Sequence, residues 1–498
     1  MEVSGGGQAP NLANIQGNVF GGFNKPHQAL LYLKFSDPAS GKAFVGAMAD
    51  LVTTSQTVFD WKKTYEDMFP KDLVTGRRPD PAGELEVGWT NLVLSATGLA
   101  AIGAAGAEDL AVEFREGMAA AKERIGDDDE SDPSRWIAPF GTSAAELHAM
   151  AIVGADSEAL RDKHLAEVRT VMSEHQVAEL GVQLGDILPE PEAGHEHFGF
   201  KDGISQPRVA GVEAPEGSEE QVGADQFALL DPSSPPPPPP PGGYPEPAPA
   251  PTATIPPWAR EGSYLVYRRL RQNVAGFQAF VTEHAGALGI TPEELGALFV
   301  GRYKSGAPVE LTHKEAEADP QGVPKDEEAR VDDAVVNDFD YDPQDEDGHL
   351  VPQAAHIRKV YPRNQKDPGE EEAQRHRILR RGIPYGKPLE AGEAAYGGGG
   401  GTPADDGHDR GLLFLCYQAS IADQFEFIQR SWANTATFPA VDDGGEAGRD
   451  AIISQDSAEP KFRVPAKDTT LTLARWVFTT GGEYFFSPSV EGLRELGS

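Results

Sequence analysis

The chain has 498 residues, 39% of them hydrophobic, so it can bury a large core, and its length favours two units over one. A formal net charge of −36 excludes nucleic-acid backbones and anionic membrane surfaces as natural partners. The single cysteine, Cys416, excludes an intrachain disulfide and thiolate-held iron–sulfur or zinc centres.

The opening stretch, MEVSGGGQAPNLANIQG, has no basic, apolar or twin-arginine targeting pattern, and no apolar run reaches membrane-spanning length. A cytoplasmic location is therefore expected. His27–Phe35 alternates and predicts a strand, and GKAFVGAMADLVTTS has helical spacing. Asn91–Gly103 predicts a strand running into a helix capped by Ser95 or Thr97. A strand is expected around Ala149–Val153, then a long amphipathic helix over SEALRDKHLAEVRTVMSEH. Ser233–Pro257 is proline-rich and reads as a solvated polyproline spacer rather than an SH3-type ligand.

Structure resumes at GSYLVYRRLRQNVAGFQAFV, a strand leading into a helix. Thr291 and Pro292 mark the N-cap and first position of the next helix. An acidic loop (Ala316–Glu346) and a Gly-rich loop follow; the latter lacks the Lys and Ser/Thr of a phosphate cradle. GLLFLCYQAS predicts a buried strand, with Cys416 as a packed residue, and IADQFEFIQRSWAN predicts a helix. Irregular alternation of strands and helices points to α+β.

Three clusters could carry chemistry. In HEHFGFKDGISQP, Asp202 before Gly203 is either turn punctuation or an acid aimed into a pocket. His195 and His197 share a strand face, but no further ligand has matching spacing, so they read as hydrogen-bonding support. In AAHIRKVYPRN, His356 is either a packed histidine or a ligand. Arg358, Lys359 and Arg363 behind it suit an anionic cofactor such as haem, or equally a phosphate or acidic substrate. In ILRRGIPYG, one of two arginines could be presented into a pocket.

Taken together, these segments resemble the dye-decolorising (DyP-type) haem peroxidases. GFKDG fits the family's GxxDG signature. AAHIRKVYPRN is similar to the segment carrying the proximal histidine, and ILRRGIPYG to the distal-arginine segment. RGLLFLCYQASIADQFEFIQRSWAN resembles the C-terminal strand and helix, and NIQGNVFGGF the N-terminal entry. The long insertions resemble the larger class that includes the fungal enzymes.

The resemblance implies two ferredoxin-like α+β domains with antiparallel sheets, haem b being held mainly by the second. The expected bounds are 1–212, a Pro-rich insertion at 213–257, and 258–498. It makes His356 the axial ligand of the haem iron, Asp202 the distal acid–base, and Arg380, rather than Arg381, the distal arginine. Glu426 is expected to accept a hydrogen bond from the other nitrogen of His356. Leu412 and Phe414 are expected to line the distal pocket and Arg363 to bind a propionate. The implied activity reduces hydrogen peroxide and oxidises a bulky organic reductant through a ferryl, porphyrin-radical state. Tyr385 and Trp432 are candidate radical relays. A monomer or small homo-oligomer is expected. The competing readings are a haem storage, delivery or sensing protein and a haem-free metal enzyme built on the histidine pair.

Overall fold

The computed structural model describes residues 9–70, 86–213, 221–230, 255–311, 336–365, 368–390, 405–441, 445–455 and 460–498. The expectations for 233–254 of the proline-rich segment, 316–335 of the acidic loop and 392–404 of the Gly-rich loop lie outside these residues.

Nine strands form one antiparallel sheet. They are β1 (His27–Lys34), β2 (Gly88–Ser95), β3 (Ala149–Ala155), β4 (Ala178–Asp186), β5 (Ser263–Gln272), β6 (Leu379–Arg380), β7 (Ile383–Tyr385), β8 (Gly411–Gln418) and β9 (Val477–Ser487). Their order is β4-β1-β3-β2-β9-β5-β8-β6, with β7 pairing to β8 beyond β6. Both ends of this path meet. A Cβ on Gly185 of β4 would lie 2.6 Å from Cγ2 of Ile383 on β7, so only glycine lets the two strands approach, and the sheet curls towards closure. Curling buries both faces, which is why Gln28–Leu33 and all of β3 are buried although the strands alternate.

The first half of the sheet (β4-β1-β3-β2) comes from residues 27–186 and the second (β9-β5-β8-β6 with β7) from 263–487. This is the expected α+β pair of antiparallel units. They join through β9, where Phe485 and Phe486 pair with Ser95 and Leu94 of β2 while the same strand pairs along β5. We propose the expected bounds, 1–212 and 258–498, for these units.

The helices follow their local signals. Helix α1 is Gly17–Phe20; α2 (Pro38–Met48) is capped by Asp37, and α3 covers Ser55–Met68. Ser95 caps the short helix after β2 by accepting from Gly98 N, and the long helix α4 spans Glu158–Glu174. Helix α5 (Val274–Leu288) follows β5, and α6 (Pro292–Val300) has a complete Thr291–Glu294 capping box with Pro292 in its first turn. Helix α7 is the short turn His356–Val360. The expected helix after β8 is present, but it winds as π-helical turns at Ile421–Phe425 and Ile428–Ala433. Among the described residues no helix is long and apolar enough to cross a membrane.

Candidate active site

The segment His195–Pro207 is a folded loop. Glu196 is half-buried, and its carboxylate accepts from the amides of Phe198 and Phe200 within the loop's own bend and from the Gln272 side chain at the end of β5. Burial pushes this carboxyl up to about 7. Gly199 and Gly203 both have left-handed φ, 95° and 76°, which a side chain would disfavour. Phe198 and Phe200 anchor the loop in an apolar cluster with Phe277, Leu295 and Phe299.

The same bend answers the question about Asp202. It is both a turn residue, since its Oδ1 accepts from Gly203 N at 2.6 Å, and a pocket acid, since Oδ1 also accepts from Arg380 Nη1 at 2.9 Å. The two side chains are 31% and 30% exposed, so the pair faces open space while sitting inside the fold. Oδ2 of Asp202 has no partner among the described residues. Arg380 is fixed further by donating through Nη2 to Ser205 O at 3.0 Å. The Gln206 side chain bridges its backbone, accepting from Arg380 N and donating to Arg380 O, each at 3.1 Å.

Arg381 has a different task. Its guanidinium donates to the carbonyls of Asn18, Val19 and Phe20 at the end of α1 and to Arg380 O. Burial brings its pKa down to about 10. It satisfies helix-end carbonyls that would otherwise lack donors. Arg381→Met should therefore destabilise the fold by about 3 kcal/mol or more, from several orphaned buried acceptors. Thermal unfolding followed by circular dichroism measures this; an unchanged melting temperature contradicts it.

Register places Arg380 opposite Cys416 on β8, so its side chain shares a sheet face with Phe414 and Leu412. Both residues are half-buried there, whereas Leu413 and Leu415 on the other face are fully buried. Cys416 is buried, and burial raises its thiol pKa, which fits a packing role.

His356 opens α7 and is half-buried. Its Nδ1 pairs with Oδ2 of Asp450 at 2.9 Å, and Nε2 has no partner among the described residues. Asp450 is fully buried; its Oδ1 accepts from Ile452 N at 2.8 Å and Ile453 N at 2.9 Å. Burial alone would raise its pKa, but His356 and these amides outweigh that and hold the carboxyl below its ordinary range. An imidazole so held carries its proton on Nδ1 and presents the Nε2 lone pair. The expected partner, Glu426, is elsewhere: it accepts from Arg124 Nε and Nη2 at 3.0 and 3.1 Å and from Tyr484 OH at 2.9 Å. In the π-wound segment Glu426 faces the sheet, while the chain after Ala433 returns to α7 and delivers Asp450, whose N donates to Ala433 O.

The basic cluster behind His356 is mostly structural. Arg358 is fully buried on Asp345, and Lys359 Nζ donates to the carbonyls of Thr435, Phe438 and Gly448. Burial brings Lys359 down to about 7. Only Arg363 keeps donors: Nη1 holds Asn337 O and Phe339 O, while Nε and Nη2 have no partner among the described residues. It sits at φ 54°, a left-handed conformation unusual outside glycine.

Both histidines of the His195–His197 pair contact backbone carbonyls. His195 contacts the carbonyls of Glu192 and Lys304 and is not beside His197's partner. His197 donates from Nε2 to Tyr385 O at 2.8 Å, and burial lowers its pKa to about 4. Tyr385 and Trp432 are both buried, at 3% and 2% exposure, so neither is itself a surface residue. Trp432 stacks on Phe438 at 5.2 Å and meets His376 edge-on at 5.1 Å.

The structure thus makes two separate constellations, Asp202–Arg380 and His356–Asp450. Both are anchored in one apolar cluster that contains Phe198, Phe200, Ala354, Ala451 and Ile452. An imidazole with a free, oriented Nε2, a half-buried apolar strand face and an arginine with spare donors fit the iron, ring and propionates of a haem.

Two family models match: the DyP dimeric alpha+beta barrel domain over residues 14–187 and the Dyp-type peroxidase C-terminal domain over residues 249–438. The chain is 30% identical to dye-decolorizing peroxidase msp1 of Mycetinis scorodonius, covering 98% of this chain and 87% of that protein. Among solved structures, an ancestral D-type dye decolorizing peroxidase superposes with a TM-score of 0.81 at 30% identity, covering 98% of this chain and all of that one. A fungal DyP-type peroxidase from Auricularia auricula-judae does so with a TM-score of 0.77 at 27% identity, over 99% and 100% of the two chains.

Proposed function

Because this chain belongs to the dye-decolorising peroxidase family, we propose that Asp202 and Arg380 are its peroxide-cleaving pair and His356, backed by Asp450, its axial haem ligand. The enzyme is a hydrogen-peroxide-dependent haem peroxidase that oxidises organic substrates of the dye and phenol type. The group we assign to the site is haem b, with Arg363 at a propionate and Leu412 and Phe414 beside the ring.

When bound, the haem supplies the electrons that break the peroxide O–O bond and holds the resulting oxidising equivalents. The chain's part is proton movement and charge control. Asp202 Oδ2, the oxygen left open by Arg380 and Gly203, takes the proton of the near peroxide oxygen and returns it to the far one, which leaves as water. Arg380 faces the charge that develops as that oxygen departs. His356 contributes its Nε2 lone pair, and Asp450 keeps the proton on Nδ1. Tyr385 and Trp432 serve as internal relays for reductants too large for the pocket.

The observation that carries this reading is the 2.9 Å Asp202–Arg380 pair. Storage or delivery of haem requires no such acid–base pair. The test is the optical spectrum of the holoenzyme before and after one equivalent of peroxide: a Soret band that shifts with peroxide and returns with a phenolic reductant supports it. A Soret band indifferent to peroxide sinks it.

A further inference from the structure

Tyr385 touches a carboxylate that the reading above leaves unused. Its hydroxyl donates to Asp409 Oδ1 at 3.2 Å. Its ring lies against Arg269, whose guanidinium carbon is 4.1 Å from the ring centroid. Arg269 grips both oxygens of Asp409, at 3.0 and 2.6 Å, and is itself tied to Gln183 and Thr480 at 2.9 Å each. The Tyr385 side chain is buried, yet Asp409 is 63% exposed. A buried phenol is thus linked to water by one carboxylate.

We propose that Asp409 is the proton acceptor for Tyr385, taking the phenolic proton on Oδ1 as Tyr385 gives up an electron. This rests on the assignment of Tyr385 as a relay. Removing an electron from a phenol that keeps its proton leaves a cation. Arg269, fixed against the ring, makes that cation costly in a buried site. Burial also pushes the phenol's pKa up, so it does not ionise beforehand. Burial would raise Asp409 too, but the Arg269 hydrogen bonds and charge outweigh it and keep the carboxyl below its ordinary value, ionised and ready.

The step balances. The Tyr385 O–H bond breaks, the proton joins Asp409, and the electron goes to the peroxide-oxidised cofactor, leaving a neutral phenoxyl radical. An electron from the organic reductant and the proton from Asp409 then restore the phenol. The net transfer is one electron from reductant to cofactor.

The test is freeze-quench electron paramagnetic resonance on holoenzyme given one equivalent of peroxide and no reductant. Wild type should form a tyrosyl signal that Tyr385→Phe lacks. Asp409→Asn should form it about tenfold more slowly and lose the H2O/D2O rate difference, while Asp409→Glu keeps both. Soret position and haem content, equal in all variants, establish that the site is intact. Asp409→Asn forming the radical at the wild-type rate overturns the proton-acceptor role. A tyrosyl signal that survives in Tyr385→Phe overturns the relay assignment beneath it, and the proposal with it.

Discussion

Asp202→Asn is expected to lower kcat/KM for hydrogen peroxide by about 10²–10⁴-fold while the chain keeps its haem. The substitution is unusually clean. Oδ1 of the amide can still accept from Gly203 N and Arg380 Nη1, so the loop and the arginine stay in place. The atom that changes is the free one, Oδ2, which becomes an NH2 that donates but takes no proton. A rate loss with an unchanged Soret band therefore reports lost proton transfer and not lost geometry. Rapid mixing with peroxide measures it directly; a variant that reacts at the wild-type rate with haem bound removes Asp202 from the mechanism.

Arg380→Leu should cost about 10²–10³-fold by removing charge from the departing oxygen. The double variant should lose much less than the product of the two, because the pair shares one hydrogen bond and one reacting proton. Independent losses that multiply would mean that the arginine acts away from the carboxylate.

The Asp202–Arg380 pair was legible because its signals are local. Asp-Gly and the flanking glycines mark a bend, and the arginine stands at the end of a short strand; each piece can be recognised within a dozen residues. The choice between Arg380 and Arg381 follows from β alternation once β6 is paired with β8, since neighbours on a strand face opposite ways. Strands and caps with strong local patterns, such as β1, Ser95 and Thr291, were legible for the same reason. Two of the longer strands were not. β4 (AELGVQLGD) and β9 (VFTTGGEYFFS) contain glycines that weaken any strand signal. Gly185 in β4 is there for the close approach to β7, a partner about two hundred residues away. Asp450 was invisible for a related reason. It lies in a polar stretch, GRDAIISQ, and reaches His356 across 94 residues, whereas Glu426 sits on an obvious helical segment and draws attention. The π winding then points Glu426 at Arg124 and Tyr484. The basic residues after His356 misled in the opposite direction: Arg358 and Lys359 look like a cofactor clamp but bind the protein's own acceptors.

Replacing Asp450 tests the proximal side, and here the conservative change is expected to be damaging. Asp450 spends Oδ2 on His356 and Oδ1 on two backbone amides, Ile452 and Ile453. Every one of these partners is a donor. An asparagine must place its NH2 against one set or the other, so Asp450→Asn leaves donor facing donor in a fully buried site, at a cost of about 1–3 kcal/mol. If the amide oxygen stays with Ile452 and Ile453, His356 loses its orienting acceptor and its preferred tautomer. If the oxygen turns to His356, the chain after Asp450 must shift. Either way the imidazole loses the negative charge that raises its basicity. Haem is expected to dissociate about 10–100-fold faster than from wild type. The reduction potential of the bound iron should move upward, since a less basic ligand stabilises the ferric state less. His356→Ala, which removes the Nε2 donor itself, should abolish the Soret band of the purified protein. Haem transfer to an apo-globin acceptor and a spectroelectrochemical titration read the two effects separately. Asp450→Asn with wild-type haem retention and potential would show that the 2.9 Å contact only packs the histidine; lowered retention with an unmoved potential would assign it to orientation without charge.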